Sequence, residues 1–167
     1  MCCIGIFGSN NDSTIDGVVA EAAQAERDGF ASYWQSQIFG LDALSTLSVV
    51  GREVPRIELG TSVIPVYPRH PMMLAQQALT ANQAAGGRLT LGIGLGHKVV
   101  VEGMTNMSFD KPVRHMKEYL SILMPLIHNQ KVSFAGEALT THAALTRTSS
   151  TMSGVTVLPC PCLRFTS

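Results

Sequence analysis

An apolar strand that ends in a polar bend and runs straight into a helix, twice in succession, constrains this chain more than any other feature. The first unit is Ile57-Glu-Leu-Gly-Thr-Ser-Val-Ile-Pro-Val-Tyr67, followed by Pro68-Arg-His-Pro71 and an amphipathic helix. The second is Arg88-Leu-Thr-Leu-Gly-Ile-Gly-Leu-Gly-His97. Consecutive strand–tip–helix units build a parallel α/β sheet or barrel. Such folds collect their ligands at the C-terminal ends of the strands. The two tips are therefore where function should be sought.

The same grammar extends to both sides. Cys3 to Phe7 reads as a strand, Gly8 to Asp12 as a polar turn, and Ser13 as an N-cap, with Asp16 favouring the positive helix end. Ile15, Val18, Val19 and Ala22 recur at helical spacing until Gly29. Ala31 to Gln35 is the next strand, with its tip at Ser36 to Gly40 and a second N-cap at Asp42. Pro71 suits the first turn of the third helix, which Gly86 and Gly87 end. A long excursion, Gly94 to Phe109, precedes a fourth helix with Val113, Met116, Leu120, Leu123 and Ile127 on one face. Pro125 should kink or divide that helix. Residues 4–133 are thus expected to form four parallel strands in sequential order, with their polar tips on one rim.

Composition removes several function classes. The 167 residues suffice for one core, and 46% of them are hydrophobic, which suits a buried parallel sheet. The formal net charge is zero and no Lys/Arg-rich block occurs, so nucleic acid is not an expected partner. No apolar run approaches the ~18 residues of a membrane span, and the N-terminus lacks a signal-peptide pattern. Cys2, Cys3, Cys160 and Cys162 match no standard zinc spacing. They read as free thiols in a reducing cytoplasm, and no metal site is expected. After about Gly136 the pattern degrades. Residues 1–137 are read as the folded unit and 138–167 as an irregular Ser/Thr-rich tail, in which Val155 to Leu158 could make a short strand. The composition of that tail reads as a truncated or altered reading frame.

Six pieces in order carry a resemblance: Ala25 to Phe30, Tyr33 to Leu44, Leu59 to Pro65, Tyr67 to Pro71, Gly86 to Gly94, and Ser108 to Leu120. Over roughly residues 4–137 the chain resembles the luciferase-like monooxygenase family, and within it the branch that uses the deazaflavin coenzyme F-420. The resemblance implies a (βα)8 TIM barrel, which typically needs ~250 residues. About four βα units are present here, a half-barrel. Open strand edges of that kind favour a homo-oligomer.

The family places a backbone bulge, often with a non-prolyl cis peptide, behind the middle ring of its flavin or deazaflavin. The matching positions are Thr61, Ser62 and Val63. By the same resemblance Gln37, Gly94, Gly96 and His97 are candidate cofactor contacts. The Gly92-x-Gly94-x-Gly96 run is not the G-x-G-x-x-G dinucleotide fingerprint, so a Rossmann site is not supported. Several deazaflavin dehydrogenases carry an acid and a histidine where this chain has Gln35 and Gln37. Amides orient ligands but do not titrate, so no catalytic acid or base is named. Arg69 and His70 either line the mouth or bond the neighbouring loop, and Tyr33 and Trp34 read as packing residues. The implied activity is hydride transfer between coenzyme F-420 and a small organic substrate, with FMN as the alternative cofactor. The competing reading is an inactive fragment that serves only as a binding or assembly module.

Overall fold

The computed structural model describes residues 4–9, 14–146 and, for the backbone, 155–157. All four cysteines and Ser13 lie outside the described residues. The elements alternate from the start: β1 (Gly5–Phe7), α1 (Ile15–Arg27), β2 (Ser32–Gln35), α2 (Ala43–Glu53), β3 (Glu58–Thr61), β4 (Ile64–Pro65), α3 (Pro71–Ala84) and β5 (Leu89–Gly94). The rest are α4 (Lys98–Thr105), α5 (Pro112–Asn129), β6 (Lys131–Ala135), β7 (Thr140–Ala144) and β8 (Val155–Val157). Strands β1, β2, β3 and β5 lie side by side in chain order, all parallel. The expected sequential half-barrel of α/β units is the fold observed.

Register decides which residues face the helices. Ile6, Tyr33, Leu59 and Leu89 stand level across the four strands, and Phe7, Trp34, Gly60 and Thr90 form the next level. Because side chains alternate along a strand, the first level points to the helices and the second to the opposite face. The helix side is the core: Tyr33, Leu59 and Leu89 are buried there with Leu47, Leu74, Leu79 and Leu123. Each such side chain contributes about 1.5–3 kcal/mol by leaving water. On the other face Trp34 lies across Gly60, where a Cβ would come 2.3 Å from the indole Cε3. The indole N–H donates to Ser32 Oγ at 2.9 Å. Phe7 on that face is 53% exposed, and among the described residues no second layer covers it.

The helices pack for local reasons. Asp42 caps α2 by accepting from the Ser45 N–H at 2.9 Å. The cap of α1 is Thr14, whose Oγ1 accepts from the Gly17 N–H at 3.2 Å. Gly51 lets α2 press on α3, since a Cβ there would sit 2.7 Å from Ala85 Cα. α5 runs on through Pro125 as one helix, not two. The packing of its flanks, Leu123, Leu126 and Ile127, outweighs the one backbone bond that proline forgoes.

Two features depart from the sequence reading. The excursion after β5 contains a helix, α4, that the periodicity did not single out. Residues 140–144, expected to be irregular, form strand β7, which pairs antiparallel with β6. Glu118 of α5 holds this hairpin: its carboxylate accepts from the backbone N–H groups of Glu137, Ala138 and Leu139 at 3.2, 2.9 and 2.9 Å. The expected short strand at residue 155 is present as β8 and runs parallel to β5, with Ile93 paired to β4 on one side and β8 on the other. No helix of the described residues is long and apolar enough to cross a membrane.

Candidate functional site

The rim at the C-terminal strand ends is organised by an interruption in the third strand. Gly60 pairs with Thr90, yet Ile64 pairs with Ile93. Four steps along one strand match three along its neighbour, so the strand carries one extra residue, a β-bulge. The Ser62–Val63 peptide within it is cis. Thr61 pins the bulge from below: its hydroxyl donates to Gly92 O and accepts from the Gly92 N–H, both at 2.8 Å. Gly92 is required there, because a Cβ would come 1.9 Å from Thr61 O. The Ser62 N–H donates to Gln35 O at 2.8 Å. Thr61 and Ile64 are buried, whereas Ser62 and Val63 between them are half-buried. The bulge thus lifts Val63 out of the packed ladder and offers it at the rim.

Parallel pairing puts the other tips beside it. Gly8, whose N–H donates to Trp34 O at 2.9 Å, follows β1, and Ser36 and Gln37 follow β2. The Gly94 to His97 tip ends β5, and the Val66 N–H ties to Gly94 O at 2.9 Å. Gly94 is buried. Gly96 is half-buried with φ +75, a conformation that suits glycine. His97 is exposed at the start of α4 and makes no side-chain capping bond. Gln37 is half-buried, and its Oε1 accepts from the Ala43 N–H at 2.8 Å, so the amide serves the start of α2. Under Gly8, the Tyr33 hydroxyl donates to Glu21 Oε2 at 2.8 Å. Glu21 Oε1 in turn accepts from the Ser9 N–H at 2.9 Å.

The two candidates after β4 are engaged in the framework. Arg69 forms an ion pair with Asp42 and also donates to Gln77 Oε1 at 3.3 Å. Burial alone would raise the Asp42 carboxyl, but bonds from Ser45 and Arg69 outweigh it and hold the group below its ordinary value. His70 caps α3: its Nδ1 accepts from the Met72 N–H at 3.2 Å. The proton therefore sits on Nε2, which faces Thr141 Oγ1 at 3.3 Å.

A cluster that the sequence reading missed lies next to the rim. The Tyr67 ring stacks on His115 at 4.1 Å and 6°, and on Phe109 at 5.1 Å and 27°. Burial lowers the His115 pKa, with Glu118 opposing, and burial followed by Asp110 raises that of Tyr67. The available signal was the spacing of His115 and Tyr119 on the inward face of α5, below an aromatic residue at a strand tip. Among the described residues no three His, Cys, Asp or Glu side chains gather as a metal site. Among the tip residues singled out, His97 carries the one imidazole.

Known proteins resemble this chain in sequence and in fold. The family model described as luciferase-like monooxygenase matches residues 2–159. A Mycobacterium tuberculosis protein, named among the coenzyme F-420-dependent oxidoreductases, is 39% identical over 101 residues, which is 60% of this chain and 29% of that protein. The F-420-dependent tetrahydromethanopterin reductase of Methanopyrus kandleri superposes with a TM-score of 0.74 at 20% identity, covering 92% of this chain and 46% of its own. The oxygenating component of 3,6-diketocamphane monooxygenase from Pseudomonas putida, solved with FMN, gives 0.75 at 18% identity, covering 92% and 50%. This chain thus spans from under a third to about half the length of these proteins.

Proposed function

The chain belongs to the luciferase-like monooxygenase family, and on that premise we propose that its rim is one wall of a site for coenzyme F-420, at which hydride passes to or from a small organic substrate. The bulge carries this reading. A tricyclic ring needs a rigid, convex, apolar support on one face, and Val63 is half-buried, next to half-buried Ser62 and between the buried Thr61 and Ile64. The pinning by Thr61 and Gly92 keeps that support from yielding. The Mycobacterium relative favours the deazaflavin, and the FMN-bound Pseudomonas structure keeps FMN as the alternative.

The cofactor, when bound, supplies the hydride chemistry. The chain's own residues supply position. Val63 backs the ring, Gly94 and Gly96 let the backbone approach it, and His97 is the side chain placed to touch cofactor or substrate. Gln37 and Thr61 act one step behind, the first by fixing the start of α2 and the second by fixing the bulge. Two amides at the β2 tip leave proton handling to groups other than Gln35 and Gln37. We place this activity in the cytoplasm, on the reading of the four cysteines as free thiols.

A second reading is favoured by β1, which among the described residues pairs on one side only, with Ile4 just before it 60% exposed. In it the half-barrel is an assembly module that pairs with another copy and turns over nothing alone. Titration of the purified protein with F-420 and with FMN separates the two. Saturable binding with a change in ring absorbance supports the site; binding of neither leaves the assembly module.

A further inference from the structure

We infer that Tyr67 and His115 are a positioning pair: their stack clamps the rim segment between β5 and α5, and so fixes the Gly94 to His97 tip for the ligand proposed above. The ligand rests on that functional reading; the clamp itself does not. The segment leaves the sheet at Gly94, held by the Val66 N–H at 2.9 Å. It returns at Phe109, whose ring stacks on Tyr67. Both ends therefore hang on consecutive residues, Val66 and Tyr67. Between them α4 buries Val101 alone, at 2% exposure. The tip is as well placed as those two anchors make it.

His115 backs the clamp from α5. Its ring lies 4.1 Å from Tyr67 and nearly parallel, while Tyr119, one turn on, donates its hydroxyl to Arg69 O at 2.9 Å. His115 Nε2 and Tyr67 Oη are buried and have no hydrogen-bond partner among the described residues. A neutral imidazole suits that stack; a buried imidazolium with no acceptor does not. The charged groups facing the stack are Asp110 from the rim segment and Glu118 from α5, with Arg69 beyond Tyr119. Burial holds the His115 pKa below the ordinary value of 6.5, against Glu118. The clamp's stability is therefore full above that ordinary value. It falls as pH drops from there toward the lower folded-state value, because the unfolded chain takes the proton first.

Hydrogen exchange of residues 95–109 in the intact chain tests this, at about pH 7.5 and about pH 5.5 with correction for intrinsic rates. One aromatic pair corresponds to about fivefold in local opening. Wild type should exchange faster at the lower pH. His115→Phe keeps a flat ring and should remove the pH response, and Tyr67→Phe should behave as wild type. Phe109→Ala should exchange about fivefold faster at both pH values. Equal wild-type protection at both pH values, a retained pH response in His115→Phe, or an unchanged Phe109→Ala overturns the clamp. A merely structural stack would change the unfolding midpoint with no exchange response confined to residues 95–109. Parallel titrations with F-420 and FMN separate the two claims. If neither cofactor binds wild type, the functional reading fails and the exchange data still decide the clamp. If one binds, Phe109→Ala should weaken it about fivefold, and an unchanged affinity overturns the positioning role.

Discussion

Gly92 and Thr61 show how one pair of residues can decide a site. The Thr61 hydroxyl both gives and takes a bond with the Gly92 backbone, and the strands come so close that Gly92 has no room for a side chain. Thr61→Val should orphan two buried backbone groups and cost about 1–3 kcal/mol in urea denaturation. Gly92→Ala should cost at least as much, because its clash is with backbone and not with a side chain that can rotate. Asp42 makes a separate prediction. Its carboxyl is held below its ordinary value of 3.8: burial raises it, and bonds from Ser45 and Arg69 outweigh burial. A depressed carboxyl stabilises above its unfolded value and loses that contribution as pH falls through the folded value. Asp42→Asn should therefore lower the melting temperature near neutral pH, and the difference should shrink as pH falls through the depressed folded value. A constant difference across that range would contradict the ion pair. The bulge at Thr61 to Val63 is reached through the family resemblance, whereas the glycines of the β5 tip and the polar bend after β3 could be found in the sequence because they interrupt an apolar strand. The engagement of Gln37, Arg69 and His70 in the framework could not, because each depends on a partner from another unit.

At the scale of elements, α5 does more than pack. Its Glu118 gathers three backbone N–H groups of the β6–β7 turn, and a Cβ on Gly136 would lie 2.4 Å from that carboxylate. Glu118→Gln should lower hydrogen-exchange protection of the hairpin while leaving β2 and β3 unchanged. Loss of charged hydrogen bonds of this kind corresponds to about 1.5–3 kcal/mol. Undiminished protection in residues 131–144 would contradict the role given to Glu118. The sequence hid this hairpin for a physical reason. β6 and β7 are short and largely exposed, so they carry little apolar alternation, and their order comes from a carboxylate on a distant helix. α4 escaped notice similarly, since it buries a single residue. The long helices and β2, β3 and β5 were legible because each buries a full stripe or face against the others.

At the scale of the whole molecule, the described residues form a sheet covered on one side. Helices α1, α2, α3 and α5 close one face, and Phe7 and Trp34 lie on the other, beside a free β1 edge. Self-association through that edge is expected, and Phe7→Lys should shift the sedimentation profile toward monomer. A wild-type chain that is monomeric at high concentration would contradict it. Turnover by a monomer of this chain should be poor, since the ring would be walled on one side and water poorly excluded.

The functional proposal stands on the bulge backing a deazaflavin ring. Its most direct test is a fluorescence titration of coenzyme F-420 against the wild-type chain and Val63→Asp, with unfolding midpoints measured alongside. Burying the ring against a carboxylate should weaken binding at least tenfold, about 1.4 kcal/mol, with the half-exposed position leaving the midpoint nearly unchanged. Equal affinity in the two proteins, or no saturable binding by wild type of either F-420 or FMN, would contradict the account.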